Sequence, residues 1–137
     1  MANYYGSARS NYFKVKDEEA FKEAMAAIPD IEVSGDNEKG FCVLVSGNSD
    51  SGGWPGYYMD EDDVEHEADV PAAVAEHLQD DEVAIFMEAG AEKLRYLVGY
   101  AEAINSKGER EAISINGIYE IAAEMTNKPE NITAAEY

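Results

Sequence analysis

Apolar positions recur with two periods along this chain. Phe21, Ala24, Met25 and Ile28 stand at i, i+3, i+4 and i+7, which predicts a helix capped by Asp17 and stopped by Pro29. Pro71, Val74, Ala75 and Leu78 share one face of a second helix over 70–79, with Asp69 as N-cap and Pro71 in its first turn. Ile118, Ile121, Ala122 and Met125 mark a third helix over 115–125, which Pro129 ends. Strand-like segments lie between them. Residues 11–15, 31–33 and 41–46 are rich in aromatic and β-branched side chains, the last two joined by the turn-forming stretch 35–40. The clearest alternation is Val83, Ile85 and Met87 in a strand over 83–88. A hairpin around residues 89–92 leads to a partner over 94–104, and a turn at 105–108 to a short strand over 111–113.

The resulting order, β-α-β-β-α-β-β-α, predicts an α+β fold in which helices pack on one face of a mostly antiparallel sheet, ferredoxin-like or related. No internal repeat and no low-complexity linker interrupts it, so residues 1–137 read as one domain. Two stretches stand apart. From 47 to 69 the periodicity dissolves into turn residues, then Trp54, Tyr57 and Tyr58, then acids. A loop longer than about 15 residues in a compact domain is functional or disordered. The tail over 127–137 reads as loose.

Charge changes the picture most. With 29 acids and 10 bases the net charge is −19. Residues 40–92 hold 14 acids and no Lys or Arg, so 14 of the 19 net charges fall in one 53-residue stretch. A halophilic adaptation would spread acids over the whole surface, and this concentration predicts a site. Phosphates would be repelled, which argues against direct binding of nucleic acid or of an anionic membrane and for a basic protein surface.

Candidate chemistry subtracts rather than adds. Neither phosphate-loop nor dinucleotide glycine pattern occurs. Cys42 lies in an apolar strand, where an inert buried thiol is expected, and a single cysteine excludes an internal disulfide. His66 and His77 read as surface residues, so no catalytic residue is assigned and the expectation is a protein that is not an enzyme. A calcium-binding reading weighs the acid loop against the EF-hand pattern. Met59 stands where the segment starting at Asn48 would need its Glu, and the segment starting at Asp60 lacks the glycine. No metal site and no cofactor are therefore assigned. The opening residues carry no basic or apolar signal segment, and no apolar run approaches the roughly 20 residues of a membrane helix, so a cytoplasmic location is expected.

These residues predict a recognition surface built from Asp60, Glu61, Asp62, Asp63, Glu65, Glu67, Asp69, Glu76, Asp80, Asp81 and Glu82, with Trp54, Tyr57 and Tyr58 as aromatic anchors. One of the two tyrosines is expected to be exposed. In charge distribution, size and lack of catalytic motifs the chain resembles the DNA-mimic and anti-defence proteins of phages and plasmids. That resemblance implies an inhibitor of a nuclease, restriction or CRISPR complex. An immunity-type antagonist of a basic toxin is one alternative, and a calcium-binding protein is the other.

Overall fold

The computed structural model describes residues 4–46, 52–92 and 96–135. It is α+β. Six strands form one sheet in the order β2-β3-β1-β6-β7-β8, with every pairing antiparallel: β1 (Tyr4–Ser10), β2 (Ile31–Asp36), β3 (Gly40–Val45), β6 (Val83–Glu92), β7 (Tyr96–Asn105) and β8 (Arg110–Ser114). A separate hairpin joins β4 (Tyr57–Met59) to β5 (Glu65–Glu67). The helices are α1 (Glu18–Ala26), α2 (Val70–Ala75) and α3 (Ile118–Glu124), and 3-10 turns at Ile115–Gly117 and Pro129–Asn131 flank the last. Among the described residues no helix is long and apolar enough to cross a membrane.

The first helix forms as its spacing predicts. Asp17 takes an extended backbone and accepts the Ala20 N–H at 3.1 Å. Glu18 and Glu19 occupy the first turn, where negative charge meets the positive end of the helix dipole. Phe21, Met25 and Ile28 are buried against Phe13, Phe41 and Val43, with the Phe21 ring 5.7 Å from that of Phe13, edge to face. Val70, Val74 and Leu78 close the same core against Ala84, Phe86 and Ile104.

Five expectations need correction. The first strand is not 11–15 but Tyr4–Ser10. Phe13 and Val15 do point inward, yet each makes only an isolated bridge, to Phe41 and to Leu78. Asn37 takes the place of a neighbouring strand at Val15, accepting its N–H at 2.9 Å and donating to its carbonyl at 2.7 Å. The second helix stops at Ala75 because the chain then turns to pair with this segment, with Lys16 N–H donating to the His77 carbonyl and Gln79 N–H to that of Lys14. Residues 89–92 are strand, not turn, and pair with β1 through Gly6, which faces Gly90. Residues 47–69 are not featureless: they contain β4 and β5, while 47–51 lie outside the described residues. Finally, α3 does not pack on the sheet, and none of its residues is buried.

The alternation in β6 holds with its faces exchanged. Ala84 and Phe86 point at the helices, whereas Val83 and Met87 are exposed on the other side. Among the described residues no α-helix covers that second face. One row of paired residues crosses the whole sheet there: Glu32, Leu44, Arg9, Met87, Ala101 and Ile113.

A candidate acidic recognition hairpin

The chain between β3 and α2 approaches the sheet through a contact only glycine allows. Gly52 has φ +79°, and a Cβ there would lie 1.8 Å from the Gly6 carbonyl oxygen. Trp54 follows, its N–H donating to Glu88 at 2.7 Å and its ring standing edge-on to Phe86 at 5.4 Å. The Trp54 indole Nε1 is buried and has no hydrogen-bond partner among the described residues. Trp54 is thus a half-buried foundation for the segment, packed on the core.

From this base the β4–β5 hairpin extends, pairing Tyr57 with Glu67, Tyr58 with His66 and Met59 with Glu65. Alternation sends Tyr58 inward, where it packs on the core and stacks on His66 at 5.2 Å, with the rings 19° apart. Tyr57 points out and is 66% exposed. Asp60 closes the turn. Its Oδ1 accepts the N–H groups of Asp62 and Val64, both at 2.9 Å, and its Oδ2 lies 2.7 Å from His66 Nε2. The bond to His66, followed by the backbone donors, holds the Asp60 carboxyl below its ordinary range. Asp63 sits in the left-handed region at φ 59°, where Asp is better tolerated than most residues.

With the turn fixed in this way, Glu61, Asp62, Asp63, Glu65 and Glu67 are all exposed. Met59 and Val64, each about half exposed, share the hairpin with them. The pattern reading omitted these two, although the alternation across Tyr57-Tyr58-Met59 and Glu65-His66-Glu67 about an Asp-rich turn marks them.

The remaining predicted residues divide. Glu76, Asp80 and Asp81 are exposed beyond the far end of α2, a helix about 9 Å long. Glu82 is turned to internal use and accepts the Lys14 N–H at 2.6 Å. Asp69 caps α2 through the Ala72 N–H at 3.3 Å and pairs with Arg110 at 2.7 Å. The Arg110 guanidinium also bonds Glu102, so it ties the start of β8 to β7 and to the start of α2. Arg110 holds the Asp69 carboxyl low, and the two acids raise the Arg110 pKa in turn. Of the fourteen residues predicted for recognition, Trp54, Tyr58, Asp60, Asp69 and Glu82 therefore serve the structure, Tyr57, Glu61, Asp62, Asp63, Glu65 and Glu67 are displayed by the hairpin, and Glu76, Asp80 and Asp81 are exposed apart from it. Among the described residues no group of three or more His, Cys, Asp or Glu converges as metal ligands do. No family model, curated protein or solved structure matches this chain.

Proposed function

We propose that this protein acts without catalysis, as a stoichiometric binder that blocks a basic protein surface. The surface whose chemistry fits is the nucleic-acid site of a nuclease, restriction or CRISPR-type complex. The observation that carries this reading is the braced β4–β5 hairpin, which presents five carboxylates outward beside Tyr57 and Met59. A dense negative patch draws a basic groove in from a distance, and apolar anchors supply contact area once it arrives. Bracing by Asp60 and Trp54 reduces the ordering cost that a floppy acidic loop would meet on binding. The unit β1-α1-β2-β3-α2-β6, with β1 and β3 central in an antiparallel sheet, supports reading the fold as ferredoxin-like. In that reading the hairpin is an insertion before α2, and β7 and β8 extend one edge.

Charge reversal tests the proposal. Replacing Glu61, Asp62, Asp63 and Glu65 with Lys leaves Asp60 in place to close the turn. This variant loses capture of basic nucleic-acid-binding proteins from a cell lysate, and duplex DNA displaces the wild-type complex. Replacing the exposed acids Glu19, Glu23, Glu32 and Glu38 changes net charge equally and leaves capture intact. Equal losses from both sets reject a localised site. Retention at about 1 M salt, where screening acts over about 3 Å, rejects an electrostatic one.

A further inference from the structure

We propose that two copies of this chain associate through the helix-free faces of their sheets, each receiving the α3 helix of the other. The receiving surface is a groove of about 770 Å³. Its floor is low because the row Ser7, Ala89 and Gly99 consists of small residues. Leu44, Met87, Ile113 and Ile115 stand along its sides. Ile115 already lies over Gly99, whose added Cβ would meet its Cγ2 at 3.2 Å, so the C-terminal arm leaves its own sheet from the rim of this groove. A groove with a glycine and alanine floor and aliphatic walls accepts an amphipathic helix closely.

The helix to fill it is on the same chain and is uncovered. Ile118, Ile121 and Met125 are all more than half exposed, Met125 at 83%. They follow the i, i+3, i+7 spacing of a buried stripe.

Areas agree with one another. The chain exposes 9254 Å², whereas a compact monomer of 15.0 kDa exposes about 7,000 Å². Met87, Leu97, Ile113, Ile115, Ile118, Ile121 and Met125 together leave on the order of 800 Å² of apolar surface in water, which is about what one partner brings to a stable interface.

The second copy is the occupant the charges permit. Arg9 lines the groove, and the one acid among its lining residues, Glu88, belongs to the Phe86 side of β6, where its carboxylate accepts the Trp54 N–H and the Tyr100 hydroxyl. The acidic hairpin is anchored on the opposite face through Trp54 and Phe86, so face-to-face pairing keeps the two hairpins apart. The exchange is reciprocal and closes with two-fold symmetry.

Sedimentation equilibrium of the full chain tests this. The expected mass is twice 15.0 kDa, falling to 15.0 kDa for Ile121→Glu with unchanged circular dichroism, since Ile121 is exposed and no residue of α3 is buried. Ala101→Arg, on the groove floor, has the same effect from the other side. Disulfide trapping then identifies the contact. Chains bearing Ala101→Cys mixed with chains bearing Ile121→Cys form a mixed disulfide dimer, and chains bearing Asp62→Cys in place of the second do not. A monomer at all concentrations overturns the proposal, as does a dimer that survives both single substitutions. Equal trapping by the Asp62→Cys control also overturns it.

Discussion

Helices α1 and α3 carry the same apolar spacing and meet opposite fates. Phe21, Met25 and Ile28 are sealed among Phe13, Phe41, Val43 and Leu78, whereas Ile118, Ile121 and Met125 stand in water. Their ends differ as well. The side chain of Asp17 caps α1, while α3 begins at Gly117 without a side-chain cap. Periodicity states which face of a helix is apolar, and chain connectivity decides whether anything in the same molecule can reach it. After α1 the chain returns through β2 and β3 to lie beneath the helix. After α3 the described residues pass through the turn at Pro129–Asn131 to Ala135, whose N–H donates to the Tyr119 hydroxyl, and none of them covers the helix.

The comparison is broken most forcefully at Phe21. Phe21→Ala leaves a cavity in a ring cluster and is expected to cost about 3–5 kcal/mol. Ile121→Ala in dilute solution is expected to stay within about 0.5 kcal/mol. Urea unfolding of both at low concentration checks the contrast, and equal losses would mean that α3 is packed after all. Raising the protein concentration sharpens it further. The wild-type thermal midpoint rises by several degrees as copies associate, and that of Ile121→Glu stays fixed.

The smallest effect concerns pH and the braced hairpin, which unlike α3 is held by its own ion pairs and caps. Asp60 and Asp69 have carboxyls depressed in the folded state. Their contribution is complete above the unfolded value near about 3.9 and is lost as pH falls through the lower folded values. Thermal midpoints measured down through that range should fall less steeply for Asp60→Asn than for wild type.

Much of this fold could be read from residues whose partners lie close in sequence. The Asp17 and Asp69 caps, the spacing in α1 and the pairing of β2 with β3 depend on local chemistry, and each formed as expected. What escaped depends on distant neighbours. The inward face of β6 is the Ala84 and Phe86 face because both helices lie on that side, and no alternation within β6 records this. The strand at Tyr4–Ser10 has weak alternation and is held by seven paired residues of β6, all of them far away along the chain. In the candidate site, the acids were legible as a group, but their division into braces and displayed charges was not. Asp60 and Asp62 are indistinguishable by type, and only the turn geometry gives one of them three bonds and leaves the other exposed.

Trp54 is the only tryptophan in the chain, and it sits where the hairpin meets the sheet. Its indole emission is therefore a built-in gauge of hairpin seating. A ligand that grips the outer carboxylates and leaves the base in place keeps the ring against Phe86, with little change in colour. A ligand that levers the hairpin away opens the indole to water and moves the emission to longer wavelength before the domain unfolds. The same bond network that presents the acids thus makes their engagement observable without any added label.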